Sequence, residues 1–384
     1  MTFIVSDPRL TARDDGTSEL SASLGGERLW FRVPADWPVE MRGDPFVVVA
    51  LLLAMRRGEP LRIDPELPVS RTLLAGLGGL QRIFRLWGPE LLAEFTPIPV
   101  EATVDEPPSS LPNVTVSFFS GGVDGTHAFL NAPVPVTHAV FSRGIDMQLD
   151  NPVWEEAATR NRSWLTEQNV PLVGIATNIR FLGRKFGLGW NSFNGAGLAA
   201  MGHALGAARV IIAAGHTWRE LWPDGTHPLT DPLWSSGRTE ILHIGRGMKR
   251  WEKLVAIAKA PGAIDLLRVC WQDQGYNCGR CEKCVRTMVL LRLLELHSPA
   301  FPPLDDFTLI GRRPTDHSEA TFVREALDLA TERGDQEMVR WLGLALRRYR
   351  VRTLAGNAKR LLRDAIAHYS SGESDVRTRR LLEP

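Results

Sequence analysis

Two clusters in this 384-residue chain have residue types and spacings that could do chemistry. The first is the run Ser120-Gly121-Gly122-Val123-Asp124-Gly125-Thr126. It follows a β-branched and aromatic stretch, 114–119, with the composition of a strand, and leads into a helical continuation, 127–130. Glycines without side chains let backbone N–H groups converge on an anion, and a helix N-terminus adds partial positive charge. The same residues also suit an ordinary strand-to-helix reversal, so spacing alone leaves both readings open. The second cluster is Cys270-x7-Cys278-x2-Cys281-x2-Cys284, which holds all four cysteines of the chain. Structural disulfides usually join distant segments, so four thiols this close point to metal. Four soft ligands suffice for a closed tetrahedral site. Gly279 permits a tight knuckle, and Arg280, Lys283 and Arg286 offset thiolate charge. Zinc is the favoured ion, while an iron–sulfur cluster uses similar ligands and stays open on spacing.

The glycine run resembles the SGGxDS signature of the PP-loop ATP pyrophosphatases, matching at Ser120, Gly121, Gly122 and Asp124. Gly125 stands where that family usually carries a hydroxyl residue, with Thr126 next to it. Loop and cysteine knuckle together, over 113 to about 296, are similar to the 7-cyano-7-deazaguanine synthase (QueC-like) branch. The N-terminal segment, the wording GTHPLTDPLWSS and Gly125 depart from that enzyme, so the resemblance is to a divergent relative.

The resemblance implies an ATP-dependent ligase using Mg2+ and carrying Zn2+. A substrate carboxylate, of which a deazapurine carboxylate is one candidate, would be adenylated with release of pyrophosphate. Ammonia or an amine would then displace AMP; a protein acceptor and a homodimer stay open. By the same resemblance Ser120, Gly121, Gly122, Val123, Gly125 and Thr126 would surround the phosphates, with Asp124 orienting magnesium or the triphosphate. A second loop, 191–197, would cover the adenosine through Asn194 and Gly197. Lys249, Arg250 and Lys253 lie on an amphipathic helix, where a solvated face is the default and any one of them could neutralise pyrophosphate; Asp124 and Lys253 are the catalytic candidates. Gly125 motivates an alternative, a nucleotide-binding module without catalysis. A tRNA-thiolating enzyme fits poorly, because all four cysteines are committed to the knuckle.

The elements that must position these residues follow from pattern. Strand-like runs at 113–119, 137–142, 171–177, 208–214 and 266–271 alternate with helical ones at 124–131, 152–168, 193–206, 248–260 and 285–296. That alternation predicts an α/β fold, a doubly wound parallel sheet with the glycine loop at its carboxyl edge. Ahead of it, 1–100 reads as a small α+β accessory domain. It has a hairpin turning at Gly25-Gly26, a helix at 46–55 with Asp44 as cap and Pro45 at its first position, and a second helix at 71–87. Residues 101–112 read as a linker and 113–300 as the nucleotide-binding domain. Residues 301–384 read as a helical extension, with Ser318 as a helix cap. The segment 215–237, long and without periodicity, reads either as a packed surface loop or as a substrate-pocket wall.

Composition sets the outer bounds. Hydrophobic residues at 44% and charged residues at 23% are those of a globular chain. A net charge of +1 gives no global steering toward nucleic acid or membrane. The stripe 340–363 holds eight basic residues and no acid, but its interleaved leucines favour a solvated helix over an RNA contact. No secretion signal is visible, and the longest apolar run, 46–55, is too short to span a bilayer. A cytoplasmic location is expected.

Overall fold

The computed structural model describes residues 1–105, 113–272 and 275–370, with side chains described as far as 354. The chain forms two compact units, Met1–Pro303 and Leu304–Pro384. The first unit begins with an antiparallel meander of β1 (Phe3–Ala12), β2 (Thr17–Leu24) and β3 (Glu27–Pro34). Gly25 and Gly26 make the expected two-residue turn, with φ of +58° and +90°, left-handed values that glycine adopts without strain. Next come α1 (Asp44–Arg57), β4 (Leu61–Ile63), α2 (Arg71–Trp87) and β5 (Val100–Glu101).

A helix apolar on every side must be covered on every side. In α1, Asp44 to Met55 are all buried, against α6 residues as well as the N-terminal strands. The helix starts one residue before the expected position: Gly43 is the N-cap and makes no side-chain cap, so Asp44 is not the cap. Its carboxylate instead accepts Arg42 Nε at 2.9 Å and the Ser70 N–H at 3.0 Å. These bonds tie the start of α1 to the start of α2.

The glycine loop lies in the segment that follows. In order come β6 (Thr115–Phe118), α3 (Val123–Leu130), β7 (His138–Arg143), α4 (Trp154–Glu167), β8 (Leu172–Thr177), α5 (Ile179–Lys185), α6 (Asn194–Ala204), β9 (Arg209–Ala213), β10 (Glu240–Ile244), α7 (Arg250–Ala258) and α8 (Glu282–Leu293). Strands β10-β9-β6-β7-β8 run parallel in that spatial order. Starting from β8, the strands appear as third, second, first, fourth and fifth in sequence, an order compatible with a Rossmann-like, doubly wound fold. Val210 and Ile212 join the core shared with α6, while Ile211 is buried on the opposite face by alternation.

One strand expectation needs correction. The fifth parallel strand is β10, and 266–271 is not a strand. The backbone of 266–271 is claimed by side chains and by the glycine loop instead. Arg268 N–H donates to Gly121 O at 2.9 Å, Val269 and Cys270 N–H donate to Asn277 Oδ1, and Tyr276 Oη donates to Leu266 O. With no free ladder groups, an apolar run does not become a strand.

The N-terminal meander extends the same sheet, giving ten strands among the described residues. Phe31 pairs with Thr177 and Arg32 with Ala176, antiparallel. Asn178 lengthens the seam, accepting the Trp30 N–H and donating to Arg28 O. The residues expected as a linker, 101–112, begin inside β5, Val104 bridges to Val69, and 106–112 lie outside the described residues.

The second unit contains α9 (His317–Arg333) and α10 (Gln336–Ser370), which pack on each other through Leu329, Ala330, Met338, Leu342 and Ala345. The cap of α9 is Asp316, which accepts the Glu319 N–H, and not Ser318. Arg340, Arg347, Arg348, Arg350 and Arg352 of the basic stripe are exposed, while the side chains of Lys359, Arg360 and Arg363 lie outside the description. Among the described residues no helix is long and apolar enough to cross a membrane.

Because 1–100 and 113–241 share one sheet and one core cluster, a cavity in α1 should destabilise both. Leu52→Ala should cost about 2–5 kcal/mol and lower a single cooperative urea transition. Tryptophan fluorescence and hydrogen exchange in β6 and β9 should move together.

Candidate functional site

The chain leaves β6 for β7 and β8 on one side, then returns to β9 and β10 on the other. The crevice between the carboxyl ends of β6 and β9 is therefore the topological switch point, where open α/β sheets bind ligands. The glycine loop occupies it. Gly121 has φ +75°, and a side chain there would meet Asn161 Oδ1 at 3.0 Å and Leu266 O at 3.1 Å. Gly122 is the N-cap of α3, and Val123 is fully buried beneath the loop.

Asp124 sits in the first turn of α3 and meets two cations from α7. Arg250 Nη1 donates to Oδ2 at 2.5 Å and Lys253 Nζ to Oδ1 at 2.8 Å. Lys253 Nζ also donates to Ala214 O at 2.7 Å, at the end of β9. Burial acts to raise the Asp124 pKa, and Arg250 and Lys253, helped by Arg286, outweigh it and hold the carboxyl well below the usual range. Both α7 cations stand near that helix's N-terminus, where the macrodipole disfavours positive charge. Their carboxylate partner offsets that penalty.

Beside the glycine loop and along α3 several polar groups are buried without partners. Asn161 is fully buried and neither of its amide atoms is hydrogen-bonded. It lies on the buried stripe of α4 with Ala157, Ala158, Trp164 and Leu165, and an asparagine on an apolar stripe was the sequence signal that could have found it. Thr126 is also fully buried with Oγ1 unpartnered, so its hydroxyl faces no solvent. A Cβ at Gly125 would stand 3.1 Å from Phe118 O, a tight fit that accounts for glycine there. His127 meets Met248 Sδ through Nε2 at 3.1 Å, and burial, then Lys253, lower its pKa.

The long segment 215–237 packs against α6 and α2. Its residues engage the start of α6: Thr226 Oγ1 donates to Asn194 Oδ1, Asn194 Nδ2 donates to Asp224, and Gly195 N–H donates to Gly225 O. Asn194 is thus committed to the loop. Gly197 is buried, and a side chain there would meet the Trp190 ring at 2.7 Å, so its role here is packing. Neither residue contacts the glycine loop in the bonds described.

Further along, Asp231 is fully buried, bonds His243 Nδ1 at 2.6 Å and accepts the His227 N–H. Burial pushes Asp224 up to about 6 and pulls His227 down to about 4, the latter helped by His243 and His216. Nothing in the sequence pattern singled out His243, which reads there as one residue of a loop-to-helix stretch.

The four cysteine sulfurs lie within 4.8 Å of one another. Cys270 and Cys281 Sγ stand 3.9 Å apart and Cys278 and Cys284 Sγ 4.0 Å apart. A tetrahedral ion at a metal–sulfur distance of about 2.3 Å needs edges of about 3.8 Å, so the cluster could hold a metal such as zinc. The N–H groups of Gln272, Arg280 and Cys281 point at sulfur, which favours thiolates. Asn277 was not anticipated. Its Oδ1 takes two N–H groups of the 266–271 segment, and its Nδ2 reaches Leu267 O and Ala300 O. Among the described residues no other group of three or more His, Cys, Asp or Glu brings its ligand atoms together.

No family model matches the chain, and no curated protein or solved structure matches it either.

Asp224 supplies a pH test. Its carboxyl is raised in the folded state from 3.8 to about 6. Its contribution to stability is therefore full below 3.8 and lost as pH rises through about 6. Asp224→Asn removes that loss, so at about pH 8 the variant should be more stable than the parent by about 1–3 kcal/mol. The difference should vanish in acid, where both side chains are neutral. Paired denaturation curves across that range check it.

Proposed function

We propose that this chain is an ATP-dependent ligase of the PP-loop type. The observation that carries the reading is the buried Arg250–Lys253 pair facing Asp124, at the head of a glycine-loop helix placed at the switch point. Two buried cations beside the N-terminus of a helix suit a polyphosphate better than any neutral ligand.

The α-phosphate of ATP would be presented to a substrate carboxylate, whose oxygen forms the new P–O bond as the bond to pyrophosphate breaks. Lys253 and Arg250 would hold the charge that develops on the departing pyrophosphate, and Gly121 and Gly122 would align it through N–H groups. Magnesium, when bound, would neutralise phosphate charge, with Asp124 as its protein ligand. Ammonia or an amine would then attack the acyl carbon, lose a proton and release AMP. A deazapurine carboxylate is the first acid to try, and a protein amine is a candidate acceptor. In this reading 113–300 forms the nucleotide-binding part and 1–100 the accessory part.

Ammonium with 7-carboxy-7-deazaguanine and other planar carboxylates should release pyrophosphate and AMP from ATP. Asp124→Ala should reduce turnover by about 100-fold or more, the scale of one lost charge-stabilising contact. Undiminished turnover in that variant refutes the assignment.

A specific observation favours a second reading, a nucleotide-binding module without catalysis. Gly125 brings no hydroxyl to the loop and the Thr126 hydroxyl is buried. ATP binding by calorimetry with no AMP formed for any acid selects this alternative.

The cysteine cluster would hold one structural zinc. Four thiolates leave no open position for water. In a four-iron cluster each cysteine binds a different iron and in a two-iron cluster they bind in pairs on two irons, so four sulfurs all within 4.8 Å of one another suit a single ion. Elemental analysis should find about one zinc per chain. Cys281→Ser should lower zinc content, melting temperature and activity together. A variant that keeps its melting temperature but loses turnover alone would make the metal catalytic.

A further inference from the structure

Asp124 stands between solvent and the two cations it binds. Its side chain is 23% exposed, while those of Lys253 and Arg250 are 2% and 6% exposed. An anion that is to reach either cation must therefore take the place of the carboxylate. Lys253 is held by Ala214 O, and a side chain at Gly245 would meet Lys253 Nζ at 3.7 Å. Next to Gly121 of the loop lies the buried, unpartnered amide of Asn161.

We infer that Asp124 is a built-in competitor for the polyphosphate site, occupying Arg250 and Lys253 until a divalent cation draws it away. The inference rests on the phosphate reading above and deepens it. One carboxylate neutralises only one of the two cations, and Arg286 adds positive potential. A polyphosphate with several charges can outcompete it for the same donors, but must first break two short ion pairs. A phosphate-bound divalent cation removes that barrier, because the displaced carboxylate becomes its ligand. The pair exchange makes the site selective for metal-complexed polyphosphate over the free anion. Without it, two buried cations would bind any small polyanion.

The test uses the full chain and inorganic pyrophosphate, titrated by calorimetry with magnesium or with a chelator. In the parent, pyrophosphate should bind much more tightly with magnesium. Asp124→Asn keeps the side-chain shape and removes the competing charge. It should bind metal-free pyrophosphate at least about tenfold more tightly than the parent, or about 1.4 kcal/mol, and should lose most of the dependence on magnesium. If the parent binds magnesium pyrophosphate and the variant gains no metal-free affinity, the competitor role is wrong while the phosphate reading stands. If neither protein binds pyrophosphate or ATP under any condition, the phosphate reading itself fails.

Removing the carboxylate takes an ion-pair partner from two buried cations, so Asp124→Asn should also melt lower than the parent. Metal-free pyrophosphate should then raise its melting temperature more than it raises the parent's. An equal rise in both overturns the proposal. Should the variant not fold, the parent decides: equal pyrophosphate affinity with and without magnesium overturns it.

Discussion

The Lys253 ammonium bonds the Asp124 carboxylate at the head of α3 and the Ala214 carbonyl at the end of β9. It thereby joins α7 to the two strands that flank the switch point. A lysine with almost no exposure is tolerated only where its charge is paired and its protons are placed. Here the carboxylate pairs the charge, and the carboxylate and a carbonyl oxygen place its protons. The arrangement fixes the glycine loop relative to β9, and so shapes the crevice into which any ligand must fit.

A second constraint reaches the same loop from behind. The segment 266–271 hangs on Asn277, which bonds its backbone at Leu267, Val269 and Cys270, and on Tyr276 at Leu266. That segment in turn donates the Arg268 N–H to Gly121 O. Ordering the cysteine cluster therefore orders Asn277, then the segment, then the glycine loop. A metal bound by four thiolates would contribute rigidity to the glycine-loop backbone, consistent with the large share that such ions take in the stability of small domains.

The N-terminal hundred residues contribute structure at a distance from this site. Their strands lengthen the sheet through β3 and β8, and α1 lies against α6 in the shared core. Trp87, at the end of α2, meets the His227 ring edge-on at 4.7 Å. The segment expected as an accessory module thus supports one wall of the loop that carries Asp224, His227 and Asp231.

Much of this was legible in the residues because it depends on local pattern. Gly25-Gly26 can only favour left-handed φ, four cysteines in fifteen residues can scarcely avoid one another, and alternating apolar runs dictate an α/β sheet with the glycine loop after its first strand. The order of that sheet, the identity of its fifth strand and the partners of each charge were not local matters. An apolar run such as 266–271 becomes a strand only if a neighbour offers free ladder groups, and here Asn277 and Gly121 had already taken its own. The meander's union with β8 depends on edge pairing between segments more than a hundred residues apart. Asn194 and Gly197, polar and small at a helix start, suit a ligand on paper, yet their contacts are with the 224–226 turn and the Trp190 ring. In the sequence Arg250 and Lys253 suit a solvated helix face or a neutraliser of pyrophosphate, and nothing there pairs them with Asp124. Only the fold, by placing the first turns of α3 and α7 together, turned them into the buried partners of Asp124, because the pairing of charges distant in sequence is decided by topology.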